Sequence, residues 1–338
     1  MKPILRQHNL LALLAASCVG MAFAADLPVS RTGGSVNVSL PVGQTTMMSL
    51  PLVEIVASGT VASTGGGNTI TLSSSPASLP NVLTDPHAIK ITSRDNQAGG
   101  STNAYGFSAQ ITAQATQTVT AALAVTPNVG DEFIIYRLET IGSIFGATNS
   151  VGLLGGGSAG ASDIVYLEDG GVLTGYFYKT TALGGTGWRL ATNSGSPNQG
   201  NVVVKPNRGV LVIRKAGGSA VSINFTGEAM VGNEKPVVIS GFNLISNPFG
   251  KSTTLRDSFL KDFVTGGGNA GAADLVYLES AGVLTAYFYK NTTLGGTGWR
   301  IAGTTTSADN VTIAAAKAIL FKEQNGSVSF TLPEPFAK

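Results

Sequence analysis

Hydrophobic and polar residues alternate with a period of two along much of the chain, as they do in strands with one buried face. The segment from Asp163 reads DIVYLE, Asp169-Gly170-Gly171 supplies a turn, and VLTGYFYK follows from Val172. In that second segment Val172, Thr174, Tyr176 and Tyr178 share one face, and Leu173, Gly175, Phe177 and Lys179 share the other. The glycine-rich LGGTG turns the chain into Trp188-Arg189-Leu190-Ala191, and VLVIRK, AGGS and AVSINF read as a further hairpin. A helical period occurs once: Leu255, Phe259 and Phe263 recur every fourth residue behind Ser252 or Thr253 as N-cap. The corresponding Ala147–Leu154 stretch is shorter and is expected to hold only a turn. The predicted fold is mainly all-β: tandem small β-sandwich or β-barrel units with one short helix in the last unit.

Part of this pattern is written twice. DIVYLEDGGVLTGYFYKTTALGGTGWRLA from Asp163 and DLVYLESAGVLTAYFYKNTTLGGTGWRIA from Asp274 agree at 22 of 29 positions at a constant offset of 111 residues, which is a tandem duplication. Upstream, GGGSAG from Gly155 pairs with GGGNAG from Gly266. Further upstream, Ser143-Ile144-Phe145-Gly146 is matched to Asn247-Pro248-Phe249-Gly250, with a seven-residue insertion in the second copy. Downstream, NVVVKPNRGVLVIRK from Asn201 is matched to NVTIAAAKAILFKE from Asn310.

A fainter echo lies at the front. Met47-Met48-Ser49-Leu50-Pro51-Leu52 has the pattern of Leu244-Ile245-Ser246-Asn247-Pro248-Phe249, and PNVGDEFIIYR from Pro127 echoes PNRGVLVIR from Pro206. The middle of this first unit shows no match, so it reads either as a diverged relative or as an unrelated β-domain. The expected organisation is a signal peptide over 1–24, an N-terminal β-domain over 25–139, and β-repeat units over 140–231 and 232–338.

Residues 1–24 have the form of a secretory signal: Lys2 and Arg6, an apolar run from Leu10 to Val19, and Ala22-Phe23-Ala24 before Ala25. Cys18 admits a lipoprotein signal as a competing reading, but Ala15 stands where that signal wants a larger aliphatic residue. No later stretch is long and apolar enough for a membrane-spanning helix. Cleavage removes two of 21 basic residues, leaving 19 against 19 acidic ones, and also removes the single cysteine. The mature chain is then neutral and free of disulfides, without the basic stripe that nucleic-acid binding requires. The localisation expected is exported: periplasmic, cell-surface or extracellular.

These modules, with an NLISNPF-like entry at Asn243, a GGTGW-like turn before each tryptophan and a strand led by a PxxG-like turn at Pro206, resemble those of a family of exported bacterial β-repeat proteins of unknown function. The resemblance covers nearly the whole mature chain and implies export and a module count. It carries no catalytic residue or ligand. The last unit departs from the pattern, with Ala314-Ala315-Ala316-Lys317-Ala318 in place of the PNRG-like turn.

Candidate chemistry is sparse. The mature chain has one histidine, His87, read as a surface residue in a loop, with no GxSxG or HExxH motif nearby. Gly155-x-Gly157-x-x-Gly160 and Gly266-x-Gly268-x-x-Gly271 satisfy GxGxxG, but each precedes a strand, whereas a dinucleotide fingerprint opens a helix. Asp163 with Glu168 and Asp274 with Glu279 recur in both copies; five residues apart on one strand they point to opposite faces, and solvated strand ends are the expected role. The strongest candidate is aromatic. Six of the eight tyrosines and both tryptophans lie in the repeats, so Tyr176, Tyr178, Trp188 and Arg189, with Tyr287, Tyr289, Trp299 and Arg300, could form sugar-stacking platforms. Packing over the sheet is the alternative, and the preferred one.

Glycine (44 residues), Ser plus Thr (65) and a charged fraction of only 12% complete the picture of an exported, glycine-rich β-protein. The expected function is a non-enzymatic structural, matrix or adhesive role without metal or cofactor, with extracellular polysaccharide or other surface proteins as partners. The alternatives are a carbohydrate-binding module array built on the repeat aromatics, and a polysaccharide-acting enzyme whose carboxylates are scattered in sequence.

Overall fold

Met47 and Met48 pair with Leu211 and Val210 in one sheet, and Leu244 and Ile245 pair with Leu320 and Ile319 in another. Around these pairs the computed structural model shows two five-stranded antiparallel sheets with the same strand order. The first runs Gly187–Leu190, Val172–Lys179, Ile164–Asp169, Val210–Ile213, Thr45–Met48. The second runs Gly298–Ile301, Val283–Lys290, Leu275–Ser280, Ile319–Glu323, Gly241–Ile245. The structure describes residues 33–73, 85–92, 104–230, 232, 234–235, 237–238, 241–247, 252–258, 260–292, 296–324 and 328–329. All belong to one unit, Thr32–Lys338. The signal-like residues 1–24 lie outside the described residues.

The first repeat is a two-layer sandwich. A three-stranded sheet of Gly33–Leu40, Val221–Ala229 and Leu52–Val53 covers the five-stranded one. Val38, Leu40, Ile223 and Phe225 from the smaller layer close over Val165, Leu167, Tyr176, Val210 and Val212 from the larger. In the second repeat Val237–Val238 pairs with Val328–Ser329, at the same place in the strand order.

The N-terminal domain expected over 25–139 is therefore corrected: it is two things. Its first three strands complete the first repeat. The rest, Ile55–Gly65, Thr69–Leu72, His87–Ile91, Ser108–Ala115, Thr118–Ala121 and Glu132–Arg137, closes into a six-stranded barrel around Ile89, Ile111, Val119, Phe133 and Ile135. Closure leaves the barrel no unpaired edge. It sits inside the first repeat, between Val53 and Thr140, where the second repeat has only the short stretch from Asn247 to Thr253. The front echo thus had two sources. Met47–Leu52 runs from the end of the first repeat's own entry strand, Thr45–Met48, to the start of Leu52–Val53, whereas Glu132–Arg137 is a barrel strand paired to Ile55–Thr60 and His87–Ile91.

The upstream match also changes. Thr140 Oγ1 accepts from Ser143 N–H at 3.0 Å, and Thr254 Oγ1 accepts from Asp257 N–H at 3.2 Å. Ile141 N–H binds Val202 O and Leu255 N–H binds Val311 O, both at 2.9–3.0 Å. Thr140–Ser143 hence corresponds to Thr254–Asp257, and the Phe-Gly match to Asn247–Gly250 is a chance likeness. The short helix shifts accordingly. Ile141–Phe145 is an α-helical turn with a Thr140/Ser143 capping box, while the last unit has the 3-10 turn Leu260–Asp262.

The two repeats pack about a local two-fold axis. Ser49 N–H binds Ala316 O at 2.9 Å and Ser246 N–H binds Asn207 O at 3.0 Å; Gly209 N–H binds Leu244 O and Ala318 N–H binds Met47 O. Met47, Leu211, Leu244, Ala318 and Leu320 form the buried core between them. Each contact has a counterpart with the partners exchanged, the arrangement of an isologous dimer within one chain.

Candidate functional site

The carboxylates repeated in both copies hold turns. Glu168 accepts from Gly171 N–H at 2.8 Å and pairs with Arg208 at 2.5 Å. Glu279 accepts from Gly282 N–H at 2.9 Å and pairs with Lys317. Each closes its own hairpin turn and ties the preceding strand to the loop at the two-fold interface. Burial pushes the Arg208 guanidinium below its usual range, against the pull of Glu168 and Asp169. Asp163 accepts from Leu154 N–H and Lys215 N–H, each at 2.7 Å, and binds Arg214 Nε at 2.6 Å. Asp274 accepts from Thr265 N–H at 2.7 Å and Gln324 N–H at 3.0 Å. The expectation of solvated strand ends is corrected: Asp163, Glu168 and Asp274 are buried, and backbone amides replace their water.

The aromatic platform is corrected too. Trp188 and Trp299 are both 0% exposed. Gly187 and Gly298, at φ 126° and 127°, swing the chain so that the following ring turns under the sheet, a conformation L side chains rarely adopt. Trp188 Nε1–H donates to Gly146 O at 3.0 Å, and its backbone N–H is held by Asn198 Oδ1. Trp299 N–H is held likewise by Asp309 Oδ1. Half-buried Tyr178 and Tyr289 meet these rings edge-on at 5.5 and 5.6 Å. Tyr176 and Tyr287 are buried in the repeat cores, and burial, then Asp169, raises the Tyr176 hydroxyl pKa. Arg189 is buried with its guanidinium donating to the carbonyls of Gly184, Gly185, Thr186 and Trp188. Arg300 makes the same contacts to Trp299 O and Gly296 O. In each repeat the two tyrosines and the tryptophan pack together as core, because the glycine turn folds the tryptophan inward, while the arginine, paired with Phe177 or Phe288, lies on the opposite face as a turn clamp.

His87 is likewise corrected from a surface loop to a fully buried strand residue opposite Arg137. Its Nδ1 lies 2.6 Å from Asp85 O, and Nε2 is buried without a partner. Among the described residues no group of three or more His, Cys, Asp or Glu side chains could hold a metal ion, and no helix is long and apolar enough to cross a membrane.

An open concavity lies on the second repeat. A groove of about 770 Å³ is lined by Gly268–Gly271, Phe288, Lys290, Arg300 and Gly303–Thr306. It joins the second GxGxxG loop, which precedes the Leu275–Ser280 strand, to the outer face of the Val283–Lys290 strand. Phe288 and Arg300 are cross-strand neighbours at its floor. Sequence reasoning named Arg300 but missed Lys290; the signal was there in Lys179 and Lys290 sharing the face opposite the tyrosines. No family model, curated protein or solved structure matches this chain.

Proposed function

We propose that this chain is an exported, non-enzymatic β-repeat protein with a structural, matrix or adhesive role. The observation that carries the reading is how the duplicated polar residues are used. Glu168 and Glu279, Asp163 and Asp274, and Arg189 and Arg300 all bind backbone groups of turns and strand ends in their own repeat. Residues duplicated for packing serve a scaffold. The carbohydrate-array alternative loses its motivation, since neither tryptophan presents a ring face. Fractionation of the native cells, with N-terminal sequencing, tests the reading: the protein should lie outside the cytoplasm and begin at Ala25. Recovery from the cytoplasm with Met1 intact would overturn it.

A further inference from the structure

The two repeats treat one lysine differently. Lys179 is 7% exposed, and its ammonium donates to Ser194 O at 3.2 Å. Ser194 lies on the loop that follows Leu190. That loop ends at Gln199, whose N–H binds Trp188 O at 2.9 Å; in the second repeat Ala308 N–H binds Trp299 O at 2.9 Å. Between these anchors the first repeat has eight residues (191–198) after Leu190 and the second has six (302–307) after Ile301. With two residues fewer, this loop offers no carbonyl to Lys290 as Ser194 does to Lys179. Its side chain is half-buried, and no described residue is hydrogen-bonded to its ammonium. A partly desolvated ammonium requires an oxygen acceptor. The first repeat supplies that acceptor itself, and so marks what the second repeat leaves to an outside ligand.

The geometry points to a binding groove on the second repeat for the carboxylate groups of an acidic saccharide. Lys290 and Arg300 supply cationic donors, Arg300 being held in place by Trp299 O and Gly296 O. Asp309, the nearby carboxylate, is engaged by Trp299 N–H and Ser307 Oγ. Exposed Thr305 and Thr306 hydroxyls and the glycine backbone at 268–271 flank the cations, and these suit a polyol better than an apolar ligand. The volume falls in the range of about 300–1,000 Å³ typical of small-ligand sites. This inference does not rest on the proposed scaffold role: localisation tests that role, and the binding test below leaves localisation untouched.

Calorimetric titration of the whole chain with oligogalacturonate, and separately with neutral dextran oligomers, tests it. Saturable, salt-sensitive binding of the acidic oligomer alone is expected, weakened about tenfold or more by Lys290→Met. Replacing Ala302–Ser307 by the first repeat's Ala191–Asn198 should abolish binding by bringing a carbonyl over Lys290, while Lys179→Met should leave it intact. Where the loop graft fails to fold by circular dichroism, Lys290→Met decides alone. Absence of binding at millimolar oligomer, equal binding of the neutral oligomer, or full binding by folded Lys290→Met overturns the inference.

Discussion

Gly209 and Ala318 occupy the same position in the two repeats and meet each other across the local two-fold axis. A Cβ built on Gly209 would lie 2.4 Å from Ala318 Cβ and 2.9 Å from Met48 O. At such an axis equivalent residues touch, so two alanines cannot both fit. The duplication has therefore become asymmetric where symmetry would clash.

Gly209→Ala should lower stability by about 1–3 kcal/mol through overpacking. Ala318→Gly added to it should restore most of the loss, and a double-mutant cycle in thermal melting reads the coupling. Additive effects would show that the two positions do not meet.

The buried tryptophans make a second prediction. Trp188→Ala and Trp299→Ala should each cost about 3–5 kcal/mol. Phe substitutions separate the two sites: Trp188→Phe removes the indole bond to Gly146 O, which then keeps only Asn149 N–H, at a further cost of about 1 kcal/mol. Trp299 Nε1 has no partner among the described residues, so Trp299→Phe removes no such bond. Melting temperatures of the two Phe variants should differ in that order, and acrylamide should quench wild-type tryptophan fluorescence poorly. Strong quenching with unchanged melting would return the rings to the surface.

Much of this architecture was legible because period-two alternation and an exact offset survive duplication. The hairpin Ile164–Lys179, its turn and its copy could be read from side-chain order alone. Strand neighbours across an insertion could not. Met47 and Met48 pair with residues more than 160 positions away because the barrel interrupts the repeat, and no local pattern records such a pairing. The burial of His87 was hidden by its setting, LTDPHAIK, in which turn residues precede the strand that covers the ring. The tryptophans were ambiguous because aromatic alternation is common to packing and to binding faces; only the inward swing at Gly187 and Gly298 separates them.

Turn geometry allows one stabilising change. Gly170 and Gly171 take φ 63° and 78° at the first hairpin, and in the second repeat Ala281 and Gly282 take φ 50° and 82°. An L-residue in the left-handed region costs about 1–2 kcal/mol. Ala281→Gly should recover part of that, about 1 kcal/mol, less the entropy glycine adds to the unfolded chain. A lower melting temperature in this variant would count against the turn conformation.

Stability should fall as pH rises, because two buried acids face each other outside the barrel. Lys90 on the His87–Ile91 strand pairs with Glu234 after the first repeat, both fully buried. Burial raises the Glu234 pKa above its usual 4.5, only partly opposed by Lys90. Burial, then the charge of Glu234, also raises the Tyr136 hydroxyl above its usual 10.0. In each case the folded state holds its proton longer than the unfolded chain does. Stability is thus fullest below the ordinary value and is lost as pH climbs from there through the raised one. One decline should start just above pH 4.5, and a second above pH 10.0. Replacing the pair together, as Lys90→Met with Glu234→Leu, should remove the first decline and leave neutral-pH stability unchanged or higher by about 1–4 kcal/mol. Glu234→Leu alone takes the carboxylate away from a buried ammonium and should cost about 3–5 kcal/mol. Tyr136→Phe should shrink the alkaline step, the remainder coming from Tyr176, whose hydroxyl is also raised. Denaturant midpoints followed across this range distinguish the variants, and a first decline that persists in the double variant would acquit Glu234.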